Sequence, residues 1–474
     1  CLDAQDLRLF LETEQGLSLA TTEGCLELLR RFEPSAAGRE RVLLGLDGFT
    51  RYLQSAECQL LDPEHQNVCQ DMKMPLSHYF ISASYRSYLL DDQVHGRADL
   101  GGLIRALQVG CRCLELGVTD GPEGEPLLGV DHGTDGKHHH HHHHHHGSVT
   151  LRSALEVINK YAFLTSQYPL LLYLCQRCSP SQQRTLAQHL KKVFGPKLHT
   201  PESLPVSLGG RATILPSPEQ LKGKVLLVGK KLPPEEEGSE GEVSEEDEEI
   251  GASACGEAGR LASESPEELV NFTKRCLTRV RPSSVRLDSS NPNPQGYWKG
   301  GVQLVALNQQ TPGAMLDLTR GRFMQNGGCG YVLRPAVMRE EVSYFSAQSQ
   351  GCVPGVPPQT LRVKVISAHS LPKPQGSGAK GEVIDPYVVL ELHGVPADCT
   401  EQRTRTANFA HLKRPKFTVF SFQVNMPELA LLRFVVLDDD YIGDDFIGQY
   451  TILEFAFRFS QHGFSVLCCE NLDL

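Results

Sequence analysis

PLSHYFISASYRSYLLDDQ at residues 75–93, GCRCLELGV at 110–118 and YPLLLYLC at 168–175 decide the fold, because each contains a strand and each is followed by a helix-period segment. After the first, Leu100, Leu103, Ile104 and Leu107 fall at i, i+3, i+4 and i+7 behind Asp99, a candidate N-cap. Along the second, Cys113, Glu115 and Gly117 alternate onto one face. Leu151, Leu155 and Ile158 mark the next helix, and YPLLLYLC is the continuous apolar run typical of a strand buried on both faces. A third helix opens at Ser179-Pro180, carries Leu186, Leu190, Val193 and Phe194 on one face, and leads into KVLLVG at 224–229. Four strands separated by helices predict a right-handed parallel α/β half-barrel, in which chemistry sits at the carboxyl ends of the strands.

Other segments frame this one. Residues 1–70 read as helices with apolar faces at Leu7, Phe10 and Leu11, at Cys25, Leu26, Leu28, Leu29 and Phe32, and at Phe49, Tyr52 and Leu53. No D-x-D-x-D-G…E calcium loop is present in them. From Glu235 to Glu249 ten of fifteen residues are acidic, which takes the net charge of −11 to −1 when they are set aside. Such a run buries too little apolar surface to fold, so a solvated linker is expected at 233–262. SPEELVNFTKRCLTRV (265–280) reads as a helix, and VQLVALN (302–308) and GYVLRP (330–335) as strands. Beyond Pro357 the period changes to two. TLRVKVISA (360–368), PYVVLELHG (386–394), KFTVFSFQV (416–424) and LLRFVVLDD (431–439) predict an antiparallel sandwich, whose closing strand is not recognisable after Phe464.

With 474 residues and 40% apolar content the chain is long enough for about three packed domains. Fifteen scattered cysteines, an odd count, favour a reducing cytoplasmic setting, and no apolar run approaches the ~18 residues of a membrane span. Membrane contact is expected to be peripheral, and no nucleic acid partner is expected. The nine histidines at 138–146 read as a low-complexity insertion, and the chain starts at Cys1 and not at methionine, as a fragment would.

The words PLSHYFISAS, GCRCLEL, DGPEGEP, LPSPEQLKGK, GKKLP, LDSSNPNP, ALNQQTPG and NGGCGYVLRP closely resemble the X and Y boxes of eukaryotic phosphoinositide-specific phospholipase C. Within that family EVINKYAF, RPAVMREEVSYFSA, VIDPYV, GVPADCTEQRT and FVVLDDDYIGDDFIGQYTI are most similar to the catalytically inactive branch. The resemblance implies a TIM-type α/β barrel made of an X half (74–232) and a Y half (263–340), EF-hand-like helices before it, and a C2 sandwich at 359–474. The expected opening of the Y half has no counterpart between Gly251 and Ser265, so the barrel is expected to be short of a strand.

Active members, the resemblance implies, use two histidines and a calcium ion to let an inositol hydroxyl attack phosphorus. Tyr85-Arg86 stand where the family has His-Asn, removing the first catalytic histidine and the first calcium ligand together. Glu115 keeps one carboxylate ligand, but Gly117 and Cys175 stand at the other two. His132 comes into register with the second histidine when two extra residues are allowed. Of the phosphate-binding residues Lys230 and Arg279 are kept, whereas Val228 and Arg281 replace a lysine and a tyrosine. Hydrolysis is therefore not expected, and no cofactor is expected in the barrel; a working phosphodiesterase acting on phosphatidylinositol 4,5-bisphosphate is the alternative.

In the C2 segment Asp385, Asp438, Asp440 and Asp445 are candidate calcium ligands, although the first loop, PKPQGSGAKGE, lacks the usual early aspartate. The branch resemblance implies a signalling adaptor that binds phosphoinositides or inositol phosphates and protein partners of receptor trafficking, notably in GABA-receptor signalling.

Overall fold

The computed structural model describes residues 1–13, 20–58, 60–93, 97–129, 148–200, 215–228, 265–282, 286, 288–340, 351, 353–365, 371, 384–406 and 419–453. His132, Lys230, the histidine run, the acidic linker, the expected gap at 251–264 and the segment after Phe464 lie outside these residues.

Four helices begin the chain: α1 (Ala4–Thr13), α2 (Thr22–Phe32), α3 (Ala36–Arg41) and α4 (Leu46–Leu53). Leu7, Leu11, Cys25, Leu29 and Tyr52 form their core, with Phe10, Leu26, Leu28, Phe32, Phe49 and Leu53 packed around it. Thr21 caps α2 by accepting from the Gly24 amide. Between α2 and α4 the loop closes on a protein group: buried Glu33 accepts from the amides of Gly45 (2.6 Å) and Ser35 (3.2 Å) and from the Ser35 hydroxyl (3.0 Å). These bonds, with burial opposing, hold its carboxyl below the usual range.

In the second unit, residues 68–347, a parallel sheet runs in the order β5-β4-β2-β1-β7-β6. The strands are β1 (Tyr79–Ser84), β2 (Cys113–Thr119), β4 (Leu170–Arg177), β5 (Val225–Val228), β6 (Arg279–Val280) and β7 (Leu304–Leu307). Two short strands, β3 (Leu127–Leu128) and β8 (Tyr331–Leu333), add antiparallel to β2 and β1. The four strands expected in the X half are β1, β2, β4 and β5, each parallel to its neighbour. The helices between them are α5 (Leu100–Gln108), α6 (Leu151–Tyr161) and α7 (Pro180–Phe194). Asp99 caps α5 through a 2.8 Å bond from the Gly101 amide. Ser179 precedes α7, but its hydroxyl donates to Asp120 and does not cap the helix.

Two cores follow from the period-two alternation. Leu114, Leu116, Val118, Leu170 and Leu172 pack outward on α5, α6 and α7 through Leu103, Leu107, Leu155, Ile158, Leu186 and Leu190. Ile81, Ala83, Tyr85, Cys113, Leu171, Leu226, Leu304 and Ala306 face inward. Hydrophobic burial on both faces is what makes these strands read as unbroken apolar runs.

The Y half departs from the expectation in one place, while VQLVALN and GYVLRP contain strands as expected. The helix expected over 265–280 stops early, as α8 (Pro266–Thr273). Thr273 turns its hydroxyl back onto the Val270 carbonyl and the Gly300 carbonyl, competing with further helical turns, and Arg279 and Val280 join β7 as β6. GYVLRP is a strand, but an antiparallel one.

The C-terminal sandwich comprises β9 (Gln359–Lys364), β10 (Pro386–His393), β11 (Thr400–Arg403), β12 (Val419–Val424), β13 (Leu431–Asp438) and β14 (Asp445–Leu453). All pairs are antiparallel, in a sheet ordered β11-β10-β13-β14 and a second pair β12-β9. Four of the six coincide with expected strands; β11 (TEQR) is polar and carries little β signal, whereas β14 (DFIGQYTIL) has Phe446, Ile447, Tyr450, Thr451 and Ile452, all strand-favouring, interrupted by Gly448. Leu60 joins the sandwich core with Leu390, Phe422, Leu432 and Ile452, tying the N-terminal segment to the same compact unit.

Candidate active site

The carboxyl ends of β1, β2 and β4 converge as expected, and β6, which the sequence does not predict as a strand, brings Arg279 to them. At the end of β1 the chain turns tightly, with the Ser87 amide donating to the Tyr85 carbonyl (2.7 Å) and the Ser84 and Ser87 hydroxyls 2.5 Å apart. This turn throws Arg86 back over the neighbouring strand. α5 presses directly on it, because a β-carbon on Gly102 would lie 2.1 Å from the Ser87 carbonyl oxygen.

Glu115, at the centre of β2, is fully buried, and its partners are cations of the chain itself. Arg86 Nε donates to Oε2 at 3.2 Å, and Arg279 Nη2 lies 3.0 Å from Oε1. Arg86 is itself 4% exposed. Burial raises the cost of charging Glu115, but the guanidiniums of Arg279, Arg86 and Arg281 outweigh it and hold the carboxyl below the usual glutamate range. The Cys175 thiol donates to Oε1 at 3.4 Å; burial, and then Glu115, push that thiol up to about 11, so it stays protonated.

Gly117 faces Cys175 across the β2–β4 register. Its amide donates to the Tyr88 hydroxyl (3.0 Å), which donates in turn to the Gly129 carbonyl (2.9 Å). Tyr85 points into the barrel interior and accepts from Arg281 Nη1 at 3.4 Å. Arg279 lies with its guanidinium 4.2 Å from the centre of the Tyr173 ring, and its Nε, although buried, has no hydrogen-bond partner among the described residues. Tyr173 was not foreseen, yet it sits two residues before Cys175, and alternation alone puts both on the inner face.

A calcium ion needs about six to eight oxygens. The residues here do not fit one. Among the described residues one carboxylate is present here, and Arg86 lies against its Oε2 with a permanent cation. Tyr85 cannot stand in for an imidazole, since a phenol titrates near ~10. The site brings together Tyr85, Arg86, Glu115, Gly117, Cys175 and Arg279, and adds Arg281 and Tyr173.

In the sandwich, four aspartates of the β13–β14 loop accept hydrogen bonds from the protein. Asp438 accepts from the Asp385 amide (2.8 Å), Asp439 from the Thr406 hydroxyl (2.7 Å), Asp440 from the Tyr441 amide (2.6 Å), and Asp444 from the Tyr387 hydroxyl. Asp445 pairs across β13–β14 with Asp438. Among the described residues no group of three or more His, Cys, Asp or Glu side chains is gathered to hold a metal. Nor is any described helix long and apolar enough to cross a membrane.

Family models match nearly end to end. Residues 72–231 and 242–337 match the X and Y domains of phosphatidylinositol-specific phospholipase C, residues 359–459 a C2 domain, and residues 1–63 the EF-hand-like region of phosphoinositide-specific phospholipase C. The chain is 49% identical to inactive phospholipase C-like protein 1 of Mus musculus over 95% of its own length and 44% of that protein's. It is 32% identical to the 1-phosphatidylinositol 4,5-bisphosphate phosphodiesterase eta-2 of Homo sapiens, covering 43% of it. It thus spans less than half the length of these relatives. The crystal structure of L. pealei PLC21 superposes with a TM-score of 0.75 at 28% identity, over 96% of this chain and 63% of that one. The chain belongs to the phosphoinositide-specific phospholipase C family.

Proposed function

We propose that this chain is a non-hydrolysing phospholipase C-like module that binds inositol phosphates or phosphoinositide head groups and serves as a signalling adaptor at membrane surfaces, with protein partners in receptor trafficking. The observation that carries this reading is the 3.2 Å contact between Arg86 and Glu115. Attack of a hydroxyl on phosphorus needs a group to take the proton and a centre to absorb developing charge. Tyr85 supplies no base near neutral pH, and a guanidinium tied to a carboxylate cannot polarise a phosphoryl oxygen as an open metal coordination site does. The inactive relative at 49% identity points the same way.

What the pocket retains is positive charge. Three guanidiniums act on one carboxylate, and the buried Nε of Arg279 lacks an acceptor among the described residues. A phosphate oxygen would satisfy it without any metal.

Turnover of phosphatidylinositol 4,5-bisphosphate in mixed micelles at micromolar calcium tests the first half. Loss of a general base and of the metal together predicts a rate at least about 10⁴-fold below that of an active relative. Comparable turnover contradicts the proposal. Calorimetric titration with inositol trisphosphate in a calcium chelator tests the second half, with binding expected for the natural chain and lost in Arg279→Ala.

A further inference from the structure

From Val157 to Pro201 the chain has no aspartate or glutamate, although it holds 57 of them in 474 residues and carries a net charge of −11. Six lysines and arginines stand in the same stretch. Four of them gather at one end of the barrel unit. Lys160 lies in the last turn of α6, and Lys191 and Lys192 lie exposed in the last turn of α7. Lys197 follows in the 3-10 turn Gly195–Lys197. Gly195, at φ 52°, stops α7 and redirects the chain, so that Lys197 Nζ donates to Asn159 Oδ1 (3.0 Å), next to Lys160. Lys224 fixes the turn by donating from Nζ to the Pro196 carbonyl (2.8 Å). Each of the four cations precedes a strand, so this surface lies at the amino ends of β4 and β5, at the far end of the strands from the head-group pocket.

Helix ends account for part of this. A lysine in a last turn offsets the negative end of the helix dipole, which explains Lys160, Lys191 and Lys192 one by one. It does not explain Lys197, nor the missing carboxylates. Lys160 leans over the Tyr161 ring (5.5 Å), and among the described residues none of the four forms an ion pair with an acidic side chain, whereas nearby Lys222 is paired with Glu219 (3.1 Å). The edge of the surface is apolar. Leu164, one turn past Lys160, is 70% exposed. The Thr165 hydroxyl donates to the Leu107 carbonyl (3.0 Å), which ties this turn to the end of α5, where Val109 is 49% exposed. Uncompensated cations beside exposed aliphatic side chains are complementary to a segment that sets carboxylates around a bulky apolar residue. An anionic bilayer matches less well, because a membrane met at the mouth of the head-group pocket leaves the amino ends of the strands turned away from it.

We propose that Lys160, Lys191, Lys192, Lys197 and Leu164 form a docking surface for an acidic segment of a partner protein, with its carboxylates on the lysines and one leucine- or phenylalanine-sized side chain against Leu164 and Val109. The surface is separate from the head-group pocket and goes beyond the function proposed above. Failure of head-group binding in the barrel leaves it standing.

The test is fluorescence anisotropy of the full chain with a labelled peptide of about twelve residues, glutamates flanking one leucine and one phenylalanine, at about 50 mM salt. Saturable binding is expected, weakened by added salt and reduced at least about tenfold in the double variant Lys160→Glu/Lys197→Glu. Leu164→Ser, or serine at both apolar positions of the peptide, is expected to weaken binding at least about threefold. Lys160, Lys197 and Leu164 are exposed, and an unaltered melting temperature in each variant separates lost docking from lost folding. The proposal is overturned by absence of saturable binding, or by a double variant that binds like the natural chain. Two other outcomes also overturn it. Binding that emerges only after deletion of residues 235–249 assigns the surface to the chain's own acidic run. Co-sedimentation with phosphatidylserine vesicles that the double variant abolishes, without binding of the peptide, assigns it to a membrane.

Discussion

A β-carbon built on Gly117 would lie 2.9 Å from Arg86 Nη1 and 3.0 Å from its Cζ, so the glycine is what lets this guanidinium lie along β2 against Glu115. The two departures from the family pattern form one physical unit. Where an ion with its ligands is expected, the chain has a cation on its own side chain, and the ligand that would collide with it is reduced to hydrogen.

Gly117→Ala is therefore expected to destabilise the barrel by about 1–3 kcal/mol, the usual range for overpacking a filled interior. In an Arg86→Ser background the same change costs less, because the two nearest atoms are gone and only the Tyr88 hydroxyl, 3.1 Å away, is still close. A double-mutant cycle from denaturant unfolding reads this as a coupling of at least ~1 kcal/mol. Additive effects would contradict the pairing.

Glu115→Gln leaves buried guanidiniums without their counter-charge, and a loss of about 3–5 kcal/mol is expected. The acid limb of the stability profile also changes. Arg279, Arg86 and Arg281 lower the folded-state pKa of Glu115 against burial, so its stabilisation is fully present above the unfolded glutamate value and is lost as pH falls through the folded one. Below the unfolded value the natural chain should lose stability more steeply than Glu115→Gln, as pH-dependent melting will show.

His78, just before β1, behaves in the opposite chemical sense with the same direction in pH. Burial, then Arg334 and Arg339, lower its pKa to about 4 from an ordinary value of 6.5. The imidazole stays neutral in the fold while the unfolded chain takes up a proton, so stability falls as pH drops from 6.5 towards 4, by roughly 3 kcal/mol over the window. His78→Phe should flatten that slope. An unchanged slope would show that His78 does not titrate as its surroundings imply.

Reinstating the lost groups together, as Tyr85→His/Arg86→Asn/Gly117→Asp/Cys175→Asp, is expected to create calcium binding detectable by calorimetry. Gly117→Asp alone is expected to create none, since Arg86 still neutralises Glu115 and crowds position 117.

The site was largely legible before the fold. Tyr85, Arg86, Gly117 and Cys175 were recognisable as losses because each sits inside a word whose neighbours match the family. What they do instead was not legible. Arg86 and Glu115 are far apart in sequence, and only the pairing of β1 with β2 and the tight turn at Ser84 and Ser87 bring them together. In sequence Arg279 reads as helical, since nothing in LTRV announces that Thr273 ends α8 and frees a two-residue strand. The Asp438–Asp445 run looked like a set of metal ligands because carboxylates at short spacing read that way whatever they touch. The structure engages four of the five with Tyr387, Thr406 and backbone amides.

Diffraction from crystals soaked in calcium, recorded for anomalous scattering, tests the central claim most directly. The account predicts Arg86 still within hydrogen-bonding distance of Glu115 and no anomalous peak among the ends of β1, β2 and β4. A strong peak on the Glu115 carboxylate, with Arg86 swung aside, would contradict it.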